Sequence, residues 1–403
     1  EYKLGQRVSR TYIAQKYGVS ETEARKYVTI LNALPEISEM FQTDEELFVF
    51  SQKAKKQAQK LMDTNRIERK AFRNMARWEN AVTEYAKNLI AVIEKHKLNI
   101  TYPKQEQGRF GGVFHFSDTH FNELINIPNC NRYDFNVASA RTAKMVAEAK
   151  KIFNSYNVKD VFVTFTGDLL NSDRRLDELL NQATNRSKAT FLAVEIIVNM
   201  LNDLAQNYNV HCASVVGNES RVGKDIGFAS EVVSDSYDFT IYNIVRRIMD
   251  GTGINFIGHG DRTEQVVNFF NKNILLIHGH QSQLAGRDME KGINKLVRKY
   301  ADKDINIDHI LFGHIHQCLI SDLFSRASSL AGANDYSEHG LLLTSRASQN
   351  VHVINEENWH SFKIDLQNYG EGYDINQLMD AYNAKSASKI RENGVYIKID
   401  TLI

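Results

Sequence analysis

Five short apolar runs, each ending in a cluster of polar residues, constrain this chain more than any other feature. They occupy residues 113–116, 161–165, 213–216, 274–277 and 310–312. They end at Ser117-Asp118-Thr119-His120, Gly167-Asp168, Gly217-Asn218-Glu219, His278-Gly279-His280 and Gly313-His314-Ile315-His316. Runs this apolar, interrupted only by His115, Thr164 and Ser214, suit buried strands, and open α/β sheets present ligand sites from the carboxyl ends of such strands. The recurrence carries the inference, because each run stops at residues of the types that bind metals.

Strand-like and helical patterns alternate between 107 and 365, with helices expected near 137–156 and 190–208, so this part reads as an α/β domain. Residues 1–40 resemble a helix-turn-helix, and 41–106 form a long basic helical region with a linker near Pro103 and Gly108. Residues 366–403 read as a helix followed by a short strand at 395–399. A length of 403 residues fits two to three domains at about 150 residues each. Lys+Arg and Asp+Glu balance at 49 each, so net charge names no partner. Three cysteines without a CxxC pair point to a reduced, cytoplasmic setting. No apolar run approaches the roughly 18 residues of a membrane span, and no leader is visible.

Phosphate esters resist attack because their own charge repels nucleophiles. Two divalent ions about 3.5–4 Å apart neutralise that charge and make a bridging water more acidic. Such a centre needs a bridging carboxylate and a mixture of imidazole and oxygen ligands. The strand ends supply Asp118, Asp168, Asn218 and the histidines His120, His278, His314 and His316.

The ordered set Asp118-x-His120, Gly167-Asp168, Gly217-Asn218, an isolated His278 and Gly313-His314-x-His316 resembles the calcineurin-like metallophosphoesterase superfamily. Its closest look is to DNA-repair exonucleases of the SbcD type and to phage-encoded phosphoesterases. The resemblance implies an α/β fold, a two-sheet sandwich flanked by helices, here preceded by an all-helical N-terminal region. It also implies a first metal held by Asp118, His120 and His316, a second held by Asn218, His278 and His314, and Asp168 as the bridge. His259 also follows an apolar run and is an alternative to His278, although the run before His278 is the better buried strand.

The family's usual triplet is Gly-Asn-His, whose histidine protonates the leaving oxygen. Here Glu219 stands in that place, followed by Ser220 and Arg221. Glu219 can serve as the acid if its surroundings raise its pKa, or it can orient a ligand while water protonates the leaving group. Arg221 is a candidate to stabilise charge on the phosphoryl oxygens. Beyond the bridging position, Asn171, Arg174 and Arg175 are within sequence reach of a phosphate or form a solvated loop. His280 is expected on the substrate side.

In the N-terminal part, residues 11–30 read as helix, tight turn at Gly18, then a helix capped by Ser20 with Glu23. A DNA-binding reading puts Arg25 and Lys26 on the second helix; the alternative is a helical packing unit. Between residues 51 and 90, ten Lys/Arg face four Asp/Glu. Arg66, Arg73 and Arg77 recur at helical spacing there, as a phosphate-tracking stripe or as a solvated helix face.

These readings converge on two-metal phosphodiester hydrolysis by a metal-bridging hydroxide, with DNA as substrate and Mn²⁺ as the preferred ion; Mg, Fe, Zn and Ni are also compatible. A small-nucleotide phosphodiesterase or phosphatase is the alternative enzyme. A DNA-binding scaffold with weak catalysis is the alternative of another class. Nucleic acid and further copies of the chain, as a dimer or higher, are the expected partners, with no membrane.

Overall fold

The computed structural model describes residues 9–22, 24, 25, 28, 56, 59, 62, 63, 98, 100–223, 229–280, 284, 289–334, 337 and 345–389. The chain divides into two compact units, Glu1–Ile90 and Ala91–Ile403. In the first, α1 (Arg10–Tyr17) starts at Ser9, whose hydroxyl accepts the Tyr12 N–H at 3.2 Å. It stops at Gly18, where φ is 65°, a left-handed conformation that a side chain would strain. Arg25 is exposed. Lys26, Arg66, Arg73, Arg77 and the strand expected at 395–399 lie outside the described residues.

The second unit contains two main sheets. In the first sheet, β1 (Gly111–Phe116), β4 (Asp160–Phe165), β5 (Asn209–Ser214) and β6 (Asn255–Ile257) run parallel. The antiparallel strands β12 (Ser348–Ile354) and β13 (Trp359–Asp365) extend it beyond β1. In the second sheet, β8 (Lys272–Ile277), β9 (His309–Phe312) and β11 (Phe324–Arg326) are parallel, edged by antiparallel β7 (Glu264–Phe269) and β10 (Leu319–Ile320). Val113, Phe162, Ala213 and Val215 from one sheet meet Ile274, Leu276 and Leu311 from the other in a single apolar cluster, so the sheets form a sandwich.

Helices cover both outer faces. α2 (Phe135–Ser155), α4 (Arg186–Ala205) and α6 (Tyr237–Ile248) pack beside the first sheet, and α7 (Met289–Ala301) seals the second with Ile293 and Tyr300. Asp134, Asn185 and Ser236 cap the first three by accepting an N–H from the opening turn. Gly112 is required where α2 crosses β1, because a Cβ there would lie 2.6 Å from the Phe153 ring. Short helices α3 (Leu176–Leu180), α5 (Ser230–Ser234) and α8 (Asn376–Ala381) lie in the connections. The two-sheet sandwich with flanking helices is therefore the fold expected from the sequence.

Two local expectations are corrected. The third strand, expected at 213–216, is β5 at Asn209–Ser214. Val215 still donates to Phe165 O, but Val216 donates to Arg262 O, so the chain has already left the ladder. The loop expected at 121–133 contains a small hairpin, β2 (Ile125–Ile127) and β3 (Asn131–Tyr133). Among the described residues, no helix is long and apolar enough to cross a membrane.

Candidate metal centre

The carboxyl ends of β1, β4 and β5 in one sheet and of β8 and β9 in the other bring the polar clusters together. Two groups of ligand-type atoms result, each within 4.8 Å of one another: Asp118, His120 and His316, and Asp168, His278 and His314. Both draw on both sheets, so the centre exists only when the sandwich is assembled. In the first group, His120 Nε2 faces His316 Nε2 at 2.9 Å, and Asp118 Oδ1 lies 3.4 Å from His316 Nε2. In the second, His278 Nε2 lies 2.9 Å from Asp168 Oδ2 and 3.0 Å from Asn218 Oδ1. A third grouping, His120, Asp168 and Glu219, overlaps the other two. His259 is exposed, lies 2.8 Å from Arg246 Nη1 and belongs to none of them.

The motif glycines have a steric reason. A Cβ at Gly313 would run into the Asp118 carboxylate, and one at Gly217 into that of Asp168. The left-handed backbone recurs at Asp118 (φ 47°), His120 (45°), Asp168 (53°), His314 (71°) and His316 (54°). Such conformations are uncommon for residues with a side chain and concentrate at functional sites.

The electrostatics fit a cation site. Burial opposes ionisation of Asp118, but His316 and His278 beside it hold its pKa down to about 2. Asp168 is likewise held far below the ordinary carboxylate range, against the cost of burial, chiefly by His278. Burial works against charge on His278, yet Asp168 pushes its pKa up to about 9. Burial holds His314 down to about 4. Buried carboxylates and converging imidazoles are costly without a counter-charge, and the donor set of nitrogen and oxygen suits divalent transition ions.

The back of each centre is also built. His278 Nδ1 donates to Thr166 O at 2.8 Å, and His120 Nδ1 lies 3.3 Å from Glu219 Oε2. The Glu219 carboxyl sits below its usual range: burial would raise it, but its hydrogen bond to His120 prevails. The remaining sequence candidates scatter around this core. Asn171 is buried in the wall of a cleft of about 330 Å³ that also takes in Asp168, Asn218, Glu219 and His314. Arg175 lines it too, paired with Glu178 at 3.1 Å. Arg174 donates to Glu219 O at 3.5 Å. Arg221 bonds the Asn218 carbonyl and shares a smaller cavity with His280, on the far side of Asn218. Burial holds His280 down to about 4.

Sequence reasoning missed two supporting residues. The buried carboxylate of Asp238 accepts the N–H groups of Asp168 (3.0 Å), Leu169 (2.8 Å) and Gly217 (2.8 Å). The buried Arg186 donates to the carbonyls of Glu219 (3.0 Å) and Arg221 (3.2 Å) and pairs with Asp173. Neither sits in a motif; both act on backbone groups, which leave no trace in residue type.

The family profile for calcineurin-like phosphoesterases matches residues 112–318, slightly more than half of the chain. This chain belongs to that family, whose members bind two divalent metals and hydrolyse phosphoesters. No curated protein matches it. Among solved structures it is similar to Vps29 from Entamoeba histolytica, at 14% identity over 64% of this chain and 99% of that one, with a TM-score of 0.29. A predicted phosphoesterase from Streptococcus pneumoniae aligns at 14% identity over 66% and 94%, with a TM-score of 0.27. Purple acid phosphatase from yellow lupin (Lupinus luteus) seeds aligns at 10% identity over 73% and 59%, with a TM-score of 0.33.

Proposed function

We propose that this protein is a two-metal phosphodiesterase acting on nucleic acid, DNA in the first place, with Mn²⁺ as its preferred ion. The observation that carries the reading is the convergence of the two ligand groups on one buried centre with Asp168 at hand to both, since it also falls in the grouping with His120. Asp118, His120 and His316 would hold one cation and Asn218, His278 and His314 the other, with Asp168 between them. The cations would neutralise phosphoryl charge and make a nearby water more acidic. The chain's own part is to fix geometry. Thr166 O and the Glu219 carboxylate each occupy the rear nitrogen of an imidazole, leaving Nε2 to face the centre. The His314 N–H reaches both Asp118 oxygens at 3.0 Å, holding that carboxylate in place.

Nucleic acid as substrate rests on the sequence: on the basic residues Arg66, Arg73 and Arg77 at the spacing of a helix face, and on the candidate contacts Arg25 and Lys26. A specific observation favours a second reading, a small-nucleotide phosphodiesterase. Among the described residues, Glu123 and Glu178 line the cleft beside the centre with one arginine, Arg175, a lining better suited to one nucleotide than to a polyanion. The deciding experiment assays purified protein with Mn²⁺ on single-stranded DNA, double-stranded DNA and an aryl phosphodiester, with and without chelator. DNA cleavage that chelator abolishes, and that weakens when Arg66, Arg73 and Arg77 are together replaced by Gln, supports the nuclease. Cleavage of the aryl ester alone, indifferent to the triple replacement, gives the site to a small substrate.

A further inference from the structure

Glu219 occupies the position at which the sequence places the question of a general acid. From its geometry we infer that Glu219 is a positioning residue for the first metal group, acting through His120. This rests on the two-metal reading above and deepens it.

Three observations carry it. First, His120 has both nitrogens committed in opposite directions: Nε2 faces His316 Nε2 at 2.9 Å, within the cluster that contains Asp118, while Nδ1 lies 3.3 Å from Glu219 Oε2. An imidazole that donates from Nδ1 to a carboxylate offers a bare Nε2 lone pair, which is the form that binds a cation. Second, Glu219 is itself held from behind. Its backbone N–H donates to Asp168 Oδ1 at 2.7 Å, and its carbonyl accepts from Arg186 Nη2 at 3.0 Å. The carboxylate is thus delivered by a backbone already tied to the bridging aspartate. Third, the second metal group has a counterpart. His278 is fixed in the same sense, with Thr166 O in the role that Glu219 plays for His120. The two imidazoles thus differ in what backs them: a carboxylate behind His120 and a backbone carbonyl behind His278.

Residue 219 therefore serves the metal side of the reaction. The carboxylate also adds one negative charge beside a centre whose two aspartates leave the charge of two divalent ions half compensated. That favours cation retention over phosphate binding, a balance that a histidine at this position would tip the other way.

The test is Mn²⁺ titration by calorimetry on the full chain, its Glu219→Ala and Glu219→Gln variants, and the same changes in a His120→Ala background. The parent should bind two ions. Glu219→Ala should weaken one of them about 10–100-fold, as loss of a partner behind a ligand does. Glu219→Gln should restore most of that affinity, because the amide oxygen still accepts from Nδ1–H. In the His120→Ala background, Glu219→Ala should cost nothing further. Variants that bind both ions like the parent overturn the inference and leave the two-metal reading standing. Gln as weak as Ala, or a full further loss without His120, overturns it in favour of a direct bond from Glu219 to the cation. A parent that binds fewer than two ions overturns the two-metal reading and this inference together. Should Glu219→Ala fail to fold, Glu219→Ser, whose hydroxyl is too short to reach His120, takes its place with the same outcomes.

Discussion

The Asp238 carboxylate holds Asp168 by its backbone rather than by its side chain, accepting its N–H at 3.0 Å. Two buried carboxylates are thereby kept close although their charges repel, and burial together with Asp168 pushes the Asp238 pKa up. The same carboxylate takes the N–H groups of Leu169 and Gly217, so one side chain on α6 pins the β4 and β5 loops together. Asp238→Asn would turn an amide N–H toward one of these donors. We expect a loss of about 3 kcal/mol in urea unfolding, with weaker Mn²⁺ binding. Unchanged stability would show that the three contacts are incidental.

Asp168 falls in two of the three ligand groups, whereas Asn218 touches only the His278 side. Asp168→Ala should therefore abolish tight binding of both ions, and Asn218→Ala should weaken mainly one. Metal content after gel filtration, with circular dichroism as the folding control, separates the two. Equal losses would mean that Asp168 does not bridge.

If Glu219 does not protonate the leaving group, Glu219→Gln should slow nitrophenyl and alkyl phosphodiesters by the same factor. A proton donor would instead show a loss of about a hundredfold or more confined to the alkyl esters. Comparing kcat on the two ester types at saturating Mn²⁺ reads this directly.

A cluster of two buried imidazoles and an indole lies apart from the metal groups. His309 packs flat on Trp359 at 3.9 Å between centroids, and His352 lies 5.9 Å from His309. Burial holds His309 down to about 3 and His352 well below its ordinary value. Both pKa values are depressed in the folded state, so the unfolded chain binds more protons once pH drops below about 6.5. The stabilising contribution is complete above that pH and is lost as pH falls toward 3. Unfolding free energies from urea titrations in chelator should fall between pH 7 and pH 5, by up to about 1.4 kcal/mol per pH unit per histidine. His352→Gln should flatten that slope, and an unaltered slope would mean that His352 is already charged in the folded protein.

Much of the fold and of the candidate site was legible because both obey local rules. A strand buried on both faces is mostly apolar, and a polar cluster at its end must do something. That logic also ranked His278 above His259, and the structure brings only His278 into a ligand group. The hairpin inside 121–133 escaped because strands of three residues, turning at Asn129 with φ 58°, are too short to show alternation. Asp238 escaped for a different reason: it lies seventy positions after Asp168 in a plain amphipathic helix, and its three partners are backbone N–H groups. The role of Glu219 was open in the sequence because orientation decides it. Nothing in the triplet Gly217-Asn218-Glu219 says that the carboxylate turns toward His120.

The left-handed backbone at Asp118, His120, Asp168, His314 and His316 sets stability against chemistry within the same residues. Each side chain held there costs of order 1–3 kcal/mol that glycine would not incur. Mutational drift that rewarded only folding would exchange these residues for glycine one at a time, and each step would make the protein tougher and the centre poorer. A descendant of this chain that had given up hydrolysis would thus be recognisable by melting higher than its parent in chelator, its strands unchanged and its loops softened to glycine.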